Sequence, residues 1–275
     1  MGWFANLFGT TETTFKVGRA LLSAVGLTAA RTYTLPDVAG QLTIDARARL
    51  EVQDRETAPV WSTDFLSTNA AQSIFIGAAV SAGTNTTAPA AGVIDGQHPG
   101  CILLRSSTTA NSGYTYQTGL TQIRIGGGEV YDLVFRTPAA LTATTYRFGF
   151  HDTATSVDAV DGVYFEAVAG TLVGKTSSNS TRSTTATIAT LAINTWYHAR
   201  ITVATDLSLA TFALYDMAGA LVGSATLNAN LPTASGRECG AGAIATNSGT
   251  TATDLIVLDY QAVSIVGRTL ARGAG

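Results

Sequence analysis

From about Pro59 to the C-terminus the chain repeats one pattern, strand-length runs broken by turn residues roughly every ten to fifteen residues. No window holds a helical period. Side chains alternate between the two faces of a strand, so the runs can be resolved face by face. In Trp196–Val203, Tyr197, Ala199, Ile201 and Val203 share one face, and His198, Arg200 and Thr202 the other. In Thr145–Phe150, Tyr146, Phe148 and Phe150 oppose Arg147 and Gly149. In Gly162–Val168, Val163, Phe165 and Ala167 oppose Tyr164 and Glu166. Phe212 and Leu214 lead into Tyr215-Asp-Met-Ala-Gly219, where Asp216 and Gly219 suit a type I turn closed by a left-handed glycine, and Ala220–Thr226 follows as the next strand. Leu255–Tyr260 is apolar on both faces, which predicts a central strand. The pattern predicts an all-β fold, an antiparallel β-sandwich.

Composition supports a large core: 46 % of residues are apolar and only 13 % charged. A surface so poor in charge and rich in Thr, Ser, Ala and Gly suits a body covered by neighbouring subunits or paved with Thr. Net charge is −3 and the pI about 5.6, which gives no footprint for nucleic acid or anionic lipid. The lysines are Lys16 and Lys175 alone. Cys101 and Cys239 either pair or stay as buried thiols; they form no disulfide scaffold and no metal spacing. The start, Met1–Phe8, has no basic n-region and is too short for a signal core or a membrane span. A cytoplasmic site of synthesis, without export by the general route or membrane insertion, is therefore expected.

The chain divides into an N-terminal segment, 1–58, and a sandwich domain, 59–275. The first begins with an apolar patch (Trp3, Phe4, Leu7, Phe8) and ends near the densest charge in the chain, Asp45–Glu56, a short helix or an inter-subunit linker. Within it, Arg31-Thr-Tyr-Thr-Leu-Pro-Asp-Val-Ala-Gly-Gln-Leu-Thr43 resembles a segment recurrent in bacteriophage tail-fibre and other virion appendage proteins. It is a Thr/aromatic strand stopped by Pro36 and turned at Gly40 into another short strand. Between residues 60 and 266, Gly96-Gln-His-Pro-Gly100, Arg147–Phe150, Gly162–Glu166, Asn194-Thr-Trp-Tyr197, Asn228–Pro232 and Leu258-Asp-Tyr260 are together similar to the concanavalin-like jelly rolls of phage fibres and spikes. Laminin-G-like and lectin domains share their order.

The resemblance implies a structural component of a virion, made in the host cytoplasm and involved in host-surface attachment. It implies a homotrimer, docking to tail, baseplate or capsid proteins through Trp3, Phe4, Leu7 and Phe8, and a host-surface glycan as ligand. The competing class is a carbohydrate-binding or polysaccharide-degrading sandwich protein of a bacterium or phage.

Catalytic and metal chemistry is sparse. His98, His151 and His198 lie far apart outside any catalytic or zinc motif, and no cofactor is expected. Asp152, Asp158 and Asp161 share one loop, yet their spacing fits no calcium template and reads as solvated turn acids. Glycoside hydrolysis needs two facing acids. Glu166 with Glu129 or Asp132 is the pair such chemistry would use, but no local acid cluster accompanies them, and a non-enzyme is expected. If the strands 162–168 and 196–203 are neighbours, Glu166 pairs with Arg200 across the ladder, worth about 0.2–1 kcal/mol. Tyr114 and Tyr116, on one strand face, are the candidate glycan-stacking platform, the alternative being half-buried strand aromatics. Trp61 and Trp196 read as core or strand-end packing. The Thr176–Thr185 run reads as an exposed tip of the kind that carries variable recognition.

Overall fold

The computed structural model describes residues 93–251 and 253–266, together with five short strands before them. In chain order the strands are β1 (Thr14–Val17), β2 (Ala20–Ser23), β3 (Val60–Thr63), β4 (Ile76–Ala79), β5 (Thr86–Pro89) and β6 (Ile102–Arg105). Then come β7 (Ser112–Gln117), β8 (Glu129–Arg136), β9 (Thr144–His151), β10 (Gly162–Val168), β11 (Thr171–Ser178) and β12 (Thr181–Thr184). The last six are β13 (Ala189–Thr190), β14 (Trp196–Val203), β15 (Ala210–Tyr215), β16 (Leu221–Leu227), β17 (Gly240–Asn247) and β18 (Asp254–Ile265). No described residue is helical.

The contacts divide the chain into two units, Met1–Gln53 and Asp54–Gly275. In the first, β1 and β2 form an antiparallel hairpin. Trp3, Phe4, Leu7 and Phe8, the 31–43 segment, the charged 45–56 stretch and the side chain of Trp61 lie outside the described residues.

The second unit is an antiparallel sandwich of two sheets, as the alternation predicts. The first sheet runs β12-β11-β10-β9-β17-β7-β4, with β13 also on β11. The second runs β16-β15-β14-β8-β18-β6-β5, with β3 also on β18. The inward residues are those read from the sequence: Tyr146, Phe148 and Phe150, Val163, Phe165 and Ala167, Ala199, Ile201 and Val203, and Phe212 and Leu214 are all buried in one core. Each phenylalanine so buried contributes about 1.5–3 kcal/mol. Rings interdigitate between the sheets, with Phe148 centred 5.2 Å from Phe135 and Phe165 5.3 Å from Phe212. Gly174 makes room for the last pair, since a Cβ there would sit 2.6 Å from the Phe212 ring.

Two tyrosine hydroxyls tie the sheets together. Tyr131 of β8 donates to the Gly242 carbonyl of β17 at 3.1 Å, and Tyr146 of β9 donates to the Leu255 carbonyl of β18 at 2.7 Å. Both phenols are held protonated by burial, which pushes their pKa values up. The Leu255–Tyr260 run is central, with β8 and β6 on either side. The turn after Tyr215 forms as expected: Gly219 holds φ 82° and donates to the Asp216 carbonyl at 3.0 Å.

Candidate functional site

The outer face of the first sheet is closed by its own loop. Residues 152–161 connect β9 to β10 and fold back over the strands. There Asp158 accepts from the Tyr164 hydroxyl at 2.6 Å and Lys175 Nζ at 2.9 Å, with Arg147 Nε and Arg182 Nε each at 3.3 Å. Glu166 faces Arg147 in the ladder and accepts from its Nε at 2.8 Å, with Lys175 Nζ at 2.5 Å. Three cations and two carboxylates thus share one cluster, buried at Arg147 and Glu166 and open towards solvent at Asp158 and Arg182. Burial pushes the Asp158 carboxyl up, but hydrogen bonds from Lys175 and Tyr164 and the Lys175 and Arg147 charges hold it below its ordinary value.

This arrangement corrects the expected Glu166–Arg200 pair. The strands β10 and β14 lie in different sheets: β11, β12 and β13 stay in the sheet of β10, and the chain crosses the sandwich between β13 and β14. Arg200 instead chelates Asp132, Nε to Oδ1 at 2.8 Å and Nη2 to Oδ2 at 3.2 Å. Glu166 and Asp132 are therefore in separate sheets, and Glu129 is folded onto the backbone amides of Gly126 and Gly127. Neither makes a facing acid pair with Glu166.

The loop aspartates also part company. Asp152 accepts from the Val160 amide, and Asp161 from the Asn179 amide and Arg237, while Asp158 belongs to the cluster. Among the described residues no group of three or more His, Cys, Asp or Glu side chains is placed to hold a metal ion. Nearby, His151 is fully buried. Its Nδ1 donates to the Thr153 carbonyl at 3.0 Å, and Nε2 has no hydrogen-bond partner among the described residues. Burial pushes its pKa down to about 4, against the Thr153 and Gly242 carbonyls.

Tyr114 and Tyr116 turn inward. Tyr116 is buried in the core and Tyr114 is half-buried against it, so the pair is not an open stacking platform. The 176–185 run is a β11–β12 hairpin whose tip, Asn179 and Ser180, is exposed with both φ angles positive. Its Arg182 reaches back to the Ala159 carbonyl at 2.6 Å, which ties the tip to the 152–161 loop.

The outer face of the second sheet is different, carrying polar and aromatic side chains in rows. One row runs Tyr215, His198, Val134 and Tyr260 across β15, β14, β8 and β18. Beside it, Asp132 accepts from His198 Nε2 at 2.6 Å as well as from Arg200. Burial raises its carboxyl, but these two donors outweigh that and leave it below the ordinary range. The next row is Trp196, Arg136, Val257 and Leu103.

Around that row stand two features no local motif announces. Asp259 sits at an irregularity in the β18–β8 register and accepts from His98 Nδ1 at 2.6 Å and Cys101 Sγ at 3.6 Å. The His98 ring stacks on Trp196 with centroids 3.9 Å apart and planes 9° off parallel, which makes Trp196 the strand-end packing residue expected of it. Cys101 and Cys239 are buried thiols that form no disulfide with each other, Cys101 in this outer cluster and Cys239 in the core.

The second feature is a cleft of about 580 Å³. Leu103, Val257 and Ile256 lie along it, with Val93 and Pro138–Ala140 at the sides and Arg105, Arg136, Asn194, Ser106 and Asp254 as polar groups. Arg105 Nε donates to Asp254 Oδ1 at 2.7 Å in an exposed pair. An apolar lining with a few convergent polar groups is the usual make-up of a small-ligand site.

Comparison with known proteins places this geometry. The chain superposes on SO2946 of Shewanella oneidensis MR-1, a protein of unknown function, with a TM-score of 0.68 at 20 % identity, over 87 % of this chain and all (100 %) of that one. The CBM2 module of the evolved Dit of Lactobacillus casei BL23 phage J-1 matches with a TM-score of 0.51 at 13 % identity, over 77 % of this chain and 97 % of that one. Peanut lectin, solved with a 9mer peptide, matches with a TM-score of 0.50 at 10 % identity, over 75 % and 97 %. At these identities the likeness is one of fold, the concanavalin-like sandwich. No curated protein matches the sequence. Residues 97–259, more than half of the chain and the stretch from the His98 turn to Asp259, match the model of the SO2946-like C-terminal domain, and the chain belongs to that family.

Proposed function

We propose that the protein is a non-enzymatic structural component of a bacteriophage particle, an appendage subunit whose sandwich holds the host surface by binding glycan. The observation that carries this reading is the contrast between the two outer faces. One is overlain by the Asp158 loop, clasped to it by ion pairs, and the other presents an open cleft flanked by rows of polar and aromatic side chains. A sheet face with an open cleft suits a binding module. Catalysis of glycoside hydrolysis needs a carboxyl of raised pKa facing a second acid, whereas Asp132 and Asp158 are held below the ordinary range by cationic partners.

The particle part of the reading is supported by the appendage-like segment 31–43 and by the shared fold of a phage Dit module. In this reading the apolar patch at Trp3, Phe4, Leu7 and Phe8 docks on other virion proteins and the chain assembles as a homotrimer. The test is binding of purified protein to polysaccharide isolated from host envelopes, measured with a parallel assay for newly released reducing ends. Saturable binding without release is the expected result. Release of reducing or unsaturated products would replace the reading with a depolymerase.

A further inference from the structure

The cleft on the second sheet has a charge balance that selects among glycans. Arg136 is half-buried at the end of β8 and is paired by register with Trp196 and Val257. Among the described residues no carboxylate pairs with its guanidinium. The other cleft cation, Arg105, is already matched to Asp254. One uncompensated positive charge therefore stands beside the apolar surface of Leu103 and Val257, with the Asn194 amide as a neutral hydrogen-bonding group.

We propose that this cleft binds a carboxylate-bearing saccharide. Arg136 receives the carboxylate, for which the planar guanidinium offers a bidentate fit. The C–H face of the pyranose rests on Leu103 and Val257, and its hydroxyls meet Asn194 and the exposed Arg105–Asp254 pair. A single net charge matches a carboxylate better than a phosphate monoester, which brings about two negative charges. The assignment rests on the glycan-binding reading and names its substrate class.

The test uses the full chain on a printed library of uronate-, sialate- and phosphate-containing oligosaccharides, each acidic sugar paired with its carboxyl-reduced form. Binding to carboxylated members, lost on carboxyl reduction and weakened roughly tenfold or more by Arg136→Gln, is the expected outcome. Arg136→Lys should recover part of it. Ala139→Trp, at an exposed position on the cleft wall, should block binding while leaving the thermal melt unchanged. Equal binding of acidic and reduced forms, preference for phosphorylated members, or indifference to both Arg136→Gln and Ala139→Trp would overturn the assignment. Binding to neutral sugars in those cases leaves the glycan-binding reading standing. Failure to bind any library member or any isolated host polysaccharide overturns both.

Discussion

Glu166 and Arg147 stand opposite each other across the β9–β10 ladder, and Arg147 Nε donates to the Glu166 carboxylate at 2.8 Å with both side chains about nine-tenths buried. Lys175 shares the same carboxylate and links it to Asp158 of the overlying loop. The loop is thus clasped to the sheet by charge.

Removing the charge at Glu166 leaves Arg147 and Lys175 buried with Asp158 alone. Glu166→Gln should destabilise the sandwich by roughly 3 kcal/mol, since breaking a buried pair strands its partners. This exceeds the about 0.2–1 kcal/mol of an exposed ladder pair. The denaturant midpoint reads it directly; a variant within about 0.5 kcal/mol of wild type would mean that water already screens the cluster. Glycan binding should be unchanged, because the cluster lies on the other sheet from the cleft.

His151 makes stability depend on pH. With its pKa lowered to about 4 in the fold and about 6.5 unfolded, the unfolded chain takes up a proton that the folded chain refuses. Its contribution is present above about pH 6.5 and is lost as pH falls towards 4, about 2 kcal/mol of it between pH 7 and pH 5. Urea denaturation at the two pH values should show that loss in wild type and a much smaller one in His151→Gln. Equal slopes would rule out His151 as the titrating group.

Gly174 is required by its neighbour across the core. A Cβ at this position falls 2.6 Å from the Phe212 ring, so Gly174→Ala should cost about 1–3 kcal/mol by overpacking. The double variant with Phe212→Leu should recover part of that loss. A melting temperature unmoved by Gly174→Ala would show that β11 can shift away.

The period-two alternation made the strands legible: Val163, Phe165 and Ala167, and Tyr197, Ala199, Ile201 and Val203, face inward as their spacing dictates. Alternation is a local signal and says which residues share a face, not which strands are neighbours. Alternation therefore leaves the Glu166–Arg200 pair conditional on a strand neighbourhood that the sheet order does not provide. It also leaves Tyr114 and Tyr116 open between a platform and half-buried strand aromatics until the sheet order puts their shared face on the core side. The His98–Asp259 contact joins residues 161 positions apart, and the cleft gathers the ends of β6, β8 and β18. Only the sheet order assembles either, and no spacing in the sequence announces them.

Immunogold electron microscopy of intact particles released by lysis, using an antibody raised against the sandwich, tests the virion assignment most directly. Discrete label on particle appendages, blocked by free sandwich protein, is the expected result. Label confined to the unassembled fraction of the lysate, with purified particles bare, would contradict it.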